Sequence, residues 1–165
     1  MDYYGNFSER FTLQREFKDL TLWFDGSCSP CNPDGNIGFG WQLLNGEDLI
    51  AEGWGFEIYT GARSTSNNLA EFKALNAGLR YLIDSRIIFE NLVVFGDSQF
   101  VISMCEGRYR ISENKGYSPA ALEFKEKIEP CLKNITYNWI SRDFNNACDA
   151  LAEKFKTLSY QHSME

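Results

Sequence analysis

The 165-residue chain is 44% hydrophobic and 15% aromatic, enough apolar material for one well-packed domain and too little for two. Its formal net charge of -7 argues against a passive coat for nucleic acid, although carboxylates that hold divalent cations enter that sum while their cations do not. No apolar run approaches the roughly 20 residues of a bilayer span, the five cysteines form no even-numbered framework, and the Met1-Asp2-Tyr3-Tyr4 start lacks a basic and then apolar leader, so a reducing cytoplasm is the expected setting.

Residues 1 to 19 read as an extension of unassigned role, with Phe7, Phe11, Leu13 and Phe17 among charges at neither helical nor strand spacing. The domain is expected over 20 to 157, with a tail over 158 to 165. Leu20 to Phe24 predicts a buried strand, and Gly26 with the Pro/Asn/Gly cluster that follows predicts its end. Asp25 is then expected where the strand leaves the core, either bonding its own turn or held by solvent or a cation, because an unpaired buried carboxylate is costly. Cys28 and Cys31 have the spacing of half a zinc site, but no second pair exists and His162 is the only histidine, so the thiols are expected to pack rather than ligate.

Ile37 to Leu44 and Leu49 to Tyr59, joined through Asn45-Gly46, predict an antiparallel hairpin. Residues 60 to 67 are small, polar and loop-like. From Asn68 the period changes: Leu69, Phe72, Leu75, Leu79 and Leu82 mark an amphipathic helix, and Asn68 precedes Glu71 at the spacing of a capping box. Residues 91 to 96 predict a strand that hands over at Asp97 to a helix carrying Val101, Ile102 and Cys105, which makes Asp97 a candidate cap. A mixed-charge loop over 108 to 116 leads to Ser118-Pro119, a cap followed by proline, and a helix to about Lys133. Ile135 to Ile140 is a fifth strand. After the loop Ser141 to Phe144, Asn145 opens a last helix with Asp149 in its first turn, where the macrodipole favours a negative charge.

The order β-β-β-α-β-α-α-β-α implies an α/β fold built on a five-stranded mixed sheet with helices on its faces. Each of Asp25, Glu71, Asp97 and Asp149 has a local structural excuse, yet all four fall at strand ends or helix starts, which gather on one side of such a sheet. Four carboxylates meeting there would raise one another's pKa unless cations joined them. Two Mg²⁺ ions roughly 3.5 to 4 Å apart make such a cluster a phosphoryl-transfer site, and Mg²⁺ needs only oxygen ligands.

Four segments carry a resemblance: Phe24-Asp25-Gly26-Ser27-Cys28 with the Asn32-Pro33 turn, Thr65-Ser66-Asn67-Asn68-Leu69-Ala70-Glu71, Gly96-Asp97-Ser98-Gln99-Phe100-Val101, and Asn145-Asn146-Ala147-Cys148-Asp149-Ala150-Leu151-Ala152. In order and spacing they resemble the signature segments of type 1 ribonuclease H, over about residues 20 to 157. The resemblance implies the RNase H-like fold and endonucleolytic hydrolysis of the RNA strand of an RNA/DNA hybrid, leaving 5′-phosphate and 3′-hydroxyl ends. By position, Asp25 would bridge two Mg²⁺ ions, for which Mn²⁺ could substitute. Asp149 would help hold the one that activates water, and Glu71 and Asp97 the other. The backbone of Gly26, Ser27 and Cys28, with Asn32, matches a stretch that meets RNA 2′-hydroxyls, the groups that distinguish RNA from DNA. Asn67 and Gln99, with Asn68 beside them, match minor-groove contacts, and Ser66 a DNA-strand phosphate contact that Arg63 could assist.

The loop before the last acid holds no histidine. Arg142 stands there, as in the archaeal and plant-like branch, and could reach the phosphate or pair with Asp143. The basic, tryptophan-bearing insertion of some members is also missing, so a monomer with modest, salt-sensitive affinity is expected. Two alternatives stay open on the residues alone: another nuclease of the same fold, exonuclease or transposase-like, and a non-catalytic interaction domain whose acids only cap helices.

Overall fold

The computed structural model describes residues 15–157, so most of the extension and the whole tail lie outside it. Strand β1, Glu16–Ser29, is the middle of the sheet. Leu20, Leu22 and Phe24 alternate into the core, while the 26–29 stretch, expected to be a turn, continues as strand because Gly26 to Ser29 find partners in Phe39 to Asn36 of β2. Asp25 therefore sits inside β1, opposite Gly40, rather than at its end.

β2, Asn36–Asn45, and β3, Asp48–Glu57, complete the antiparallel hairpin, and β4, Ile88–Gly96, and β5, Ile135–Trp139, add parallel strands on the other side. The order is β3-β2-β1-β4-β5, a mixed five-stranded sheet as the element pattern implies. Glu16 to Asp19, read from sequence as extension, pair with Ile88 to Asn91.

Helix α1, Asn67–Asp84, and helix α4, Asn146–Ala152, cover opposite faces. Neighbouring residues of a strand point to opposite sides. On β2, Trp41 meets Gly78 of α1, and Gly40 lies beneath Leu151 of α4. α2, Gln99–Cys105, follows β4 directly, and α3, Ser118–Glu123, continues through a wider π turn and a 3₁₀ turn to Cys131. Ser118 is not its cap: Tyr117 holds the cap position and Ser118 is the first helical residue, and the Ser118 hydroxyl donates to Ser112 O and accepts from Lys115 N, closing the preceding loop.

Two capping assignments move by one or two residues, with consequences for the site. α1 is capped by Ser66, whose hydroxyl accepts from Leu69 N at 3.1 Å, which puts Asn68 and Glu71 inside the helix and dissolves the expected capping box. α2 is capped by Ser98, accepting from Val101 N at 3.2 Å, so Asp97 is not the cap either. Neither carboxylate is used by its own helix.

Candidate active site

The pairing of β1 with β4 stops at Trp23↔Phe95, whereas β1 runs on beside β2 for six more residues. Beyond that point the β4 side of β1 is open, and three acids enter the gap. Asp25 comes from β1, Asp97 from the residue after β4, and Glu71 from the second turn of α1. Gly26 admits α1 at this depth: any side chain there would overlap the Ala70–Glu71 backbone. Carboxylate oxygens of Asp25, Glu71 and Asp97 lie within 4.8 Å of one another.

Asp25 and Glu71 are only 3% and 5% exposed. Burial, then the neighbouring charge of Asp97, pushes Asp25 from its ordinary 3.8 to about 7. Burial, reinforced by Asp25 and Asp97, also holds Glu71 well above the usual carboxylate range. Asp25 Oδ1 accepts from Gly26 N at 2.9 Å, but Glu71 Oε2 is buried without any partner. Asp149 lies in the first turn of α4, half-buried; it is near enough to raise Asp25 but is not one of the three mutually close acids. The expected quartet is thus a trio with a fourth acid at its rim.

The substrate positions matched by resemblance in β1, its following turn and the start of α1 are tied to one another. Asn67 Oδ1 accepts from Cys28 N at 2.8 Å, and Asn67 N donates to Asn32 Oδ1 at 3.0 Å, which staples the 28–35 turn to the start of α1. Asp34 strengthens the staple by accepting from Ser64 Oγ at 2.8 Å, and Thr65 Oγ1 donates to Gly35 O at 2.6 Å. The Cys28 N–H is consequently already engaged. Gly26 and Ser27 are half-buried, and the Ser27 hydroxyl has no partner. Ser66 and Asn68 are half-buried, and Asn67, Gln99 and Arg142 are exposed. Arg63 is tied to Glu57 at 3.0 Å, which also binds Lys73.

Cys28 turns its thiol to Cys31 O at 3.2 Å and Thr65 Oγ1 at 3.8 Å, and the acidic trio is the only cluster of metal-ligand type among the described residues. Two residues that shape the site were not nominated as site residues from the sequence. Trp139 Nε1 donates to Asp97 O at 3.0 Å, and Asn145 Nδ2 donates to Phe24 O at 2.9 Å and to Asp97 Oδ2 at 3.1 Å. An asparagine opening a helix reads as an ordinary cap, and nothing local marks it otherwise.

A β3-β2-β1-β4-β5 sheet with α1 and α4 on its faces, and carboxylates gathered beside the central strands, defines a protein of the RNase H-like fold. The family model described as reverse transcriptase-like matches residues 23–155, and the chain belongs to that family.

Relatives agree. The chain is 29% identical over 150 residues to a Ribonuclease H of Desulforamulus reducens, covering 82% of this chain and 86% of that protein. It is 28% identical over 155 residues to the uncharacterized protein YpeP of Bacillus subtilis, covering 90% of this chain but 63% of that longer relative. Among solved structures, RNase H1 of the halophilic archaeon Halobacterium salinarum superposes with a TM-score of 0.69 at 27% identity, over 82% of this chain and 96% of that one. LC11-RNase H1 in complex with an RNA/DNA hybrid superposes at 0.66 and 22% identity, over 84% and 99%, a likeness of fold. No helix among the described residues is long and apolar enough to cross a membrane.

Proposed function

We propose that the protein is a metal-dependent endoribonuclease that hydrolyses the RNA strand of RNA/DNA hybrids, leaving 5′-phosphate and 3′-hydroxyl ends. The carrying observation is the Asp25–Glu71–Asp97 trio, held within 4.8 Å with Glu71 Oε2 buried and unpartnered, at the open edge of an RNase H-like sheet.

The donor set fits Mg²⁺ or Mn²⁺. It is all oxygen, it is anionic, and it leaves one buried acceptor unmatched in the protein alone. Asp25 would be shared between two ions, Glu71 and Asp97 would hold one, and Asp149 would help hold the other. A bound pair supplies activation of water on one side of the scissile phosphate and stabilisation of the leaving oxygen on the other.

The chain's own residues account for orientation. Asn67 has its side-chain carbonyl bonded to Cys28 N and keeps its amide N–H donors for a substrate, groups suited to the N3 and O2 acceptors that every base pair shows in the minor groove. Such contacts hold a duplex without selecting a sequence. With Cys28 N already bonded to Asn67 and the Ser27 hydroxyl buried, RNA 2′-hydroxyls would be met by the neighbouring backbone carbonyls rather than by that N–H. Ser66 Oγ accepts from its helix and keeps its hydroxyl proton for a DNA-strand phosphate, and Gln99 and Arg142 are exposed and so accessible to a substrate.

The test is a Mg²⁺-dependent digest of labelled RNA/DNA, DNA/DNA and RNA/RNA duplexes beside the Asp97→Asn protein. Cutting confined to the RNA of the hybrid, lost in the variant and in EDTA, is the expected outcome. Cutting of DNA/DNA at a similar rate would assign another nuclease activity, and undiminished cutting by the variant would move the chemistry elsewhere.

A further inference from the structure

We propose that Asn145 is a positioning residue that locks the Asp97 carboxylate and the Asp149 helix into one frame, so that the affinity of the site for divalent cations depends on it. This deepens the reading above and rests on it.

The argument starts from what Asn145 does not do. It occupies the cap position of α4, where an asparagine normally turns its side-chain oxygen back to a helix N–H. Here the side chain makes no capping bond. Its amide nitrogen carries two protons, and both leave the helix: one goes to Phe24 O at 2.9 Å, the other to Asp97 Oδ2 at 3.1 Å. The residue is 2% exposed, so water cannot readily replace either bond.

The main chain of Asn145 is equally committed. Its N–H donates to Arg142 O at 3.0 Å, and its carbonyl accepts from Asp149 N at 3.0 Å. One residue therefore touches the strand position before Asp25, the carboxylate of Asp97 and the backbone of Asp149. These three parts of the site are far apart in sequence, and no other described side chain bonds to the Asp97 carboxylate. The Phe24 carbonyl lies just past the last β1–β4 pair, so the amide fills the place that a strand partner would have taken.

Asp97 is thereby fixed at both ends, by Trp139 at its main-chain carbonyl and by Asn145 at one carboxylate oxygen. A carboxylate free to rotate would have to be ordered each time a cation bound, and losing an outer hydrogen-bond partner typically costs about 10 to 100-fold in metal affinity.

The experiment titrates Mg²⁺ alone into the metal-free full chain by calorimetry, for wild type, Asn145→Ala and Asn145→Ser, with thermal melts in EDTA and hybrid-cleavage kinetics alongside. Expected are a dissociation constant about tenfold weaker for Asn145→Ala, a smaller shift for Asn145→Ser, which keeps one donor, and a fall in kcat with KM for the hybrid within about twofold. A role limited to holding the fold would lower both melts in EDTA and leave the Mg²⁺ constant unmoved, and that result overturns the proposal. Should Asn145→Ala not fold, an unchanged constant in Asn145→Ser does so alone. A wild-type chain that takes up no Mg²⁺ would instead remove the metal-dependent reading, and this inference with it.

Discussion

Two polar clusters flank the parallel half of the sheet, one around the single acid Glu129 and one around three acids, and they are built differently. Around Glu129, in the 3₁₀ turn after α3, each charge finds its complement inside the protein. Tyr137 Oη donates to Glu129 Oε2 at 2.5 Å, and Lys125 Nζ approaches Glu129 Oε1 at 2.9 Å and donates to Cys105 O at 3.4 Å. Burial and the bond to Glu129 both favour the protonated phenol, holding Tyr137 above its usual range. Around Asp25, Glu71 and Asp97 only neutral donors reach Asp25 and Asp97, the charges nearest Asp25 and Glu71 are other acids, and Glu71 keeps an unmatched oxygen. A closed cluster is part of the fold. An open one is stable only with something from solution, which is the physical mark of a site.

The sharpest way to break this contrast is to neutralise one acid in each cluster. Asp25→Asn is expected to lower Mg²⁺-dependent hybrid cleavage by on the order of 10³-fold, about 4 kcal/mol of transition-state stabilisation. Glu129→Gln is expected to stay within about twofold of wild type in the same labelled-hybrid assay. Comparable losses in both would erase the distinction.

The next effect is on stability and separates the clusters by sign. In the folded chain Asp25 titrates at about 7 instead of 3.8, and Glu71 is also raised from 4.5, so between those limits the native state binds more protons than the unfolded one. The unfolding free energy must then fall as pH rises from about 4 through about 7 for Asp25, with Glu71 acting in the same direction, by on the order of a few kcal/mol. Denaturant melts in EDTA across that range should show the decline, and saturating Mg²⁺ should restore stability increasingly toward pH 8. A flat profile in EDTA would mean that the acids are solvated after all.

How much of this was legible beforehand divides along the same line. The order of elements, the hairpin and the amphipathic stripe of α1 followed from periodicity, which burial enforces directly. The four acids could be nominated because strand ends and helix starts collect on one edge. What could not be read was which neighbour takes each capping role. Ser66 and Ser98 stand one to five residues from the acids, and local sequence gives Asn68 or Asp97 an equal claim to those caps. Likewise, only the tertiary meeting of β1, Asp97 and α4 shows that Asn145 serves the site rather than its helix. The continuation of β1 through Ser29 was hidden for a related reason: its Gly, Ser and Cys residues have weak strand preference, and β2 imposes the conformation.

Within the closed cluster a smaller change is expected. Tyr137→Phe removes one hydrogen bond to a charged acceptor on a ring that is otherwise packed against Phe124, with centroids 6.0 Å apart. A loss of about 1 to 2 kcal/mol in chemical denaturation, with no change in Mg²⁺ response, is the expected result.

The smallest effect tests whether the α1 acid belongs to its helix or to the site. Ser66→Ala removes the bond to Leu69 N and should cost about 1 kcal/mol in EDTA at pH 8. Asn68→Ala, inside the helix, should stay within about 0.5 kcal/mol, since surface changes away from a cap or core are usually that small. Glu71→Gln should move the other way. In the unfolded chain Glu71 is ionised at that pH, and in the folded one it is either ionised among acids or kept protonated at a cost, so a neutral side chain of the same shape relieves the native state in both cases. Thermal melts of the three variants side by side decide the matter: if Glu71→Gln falls with Ser66→Ala, Glu71 is serving the helix start, and the acidic cluster loses the member that made it an open one.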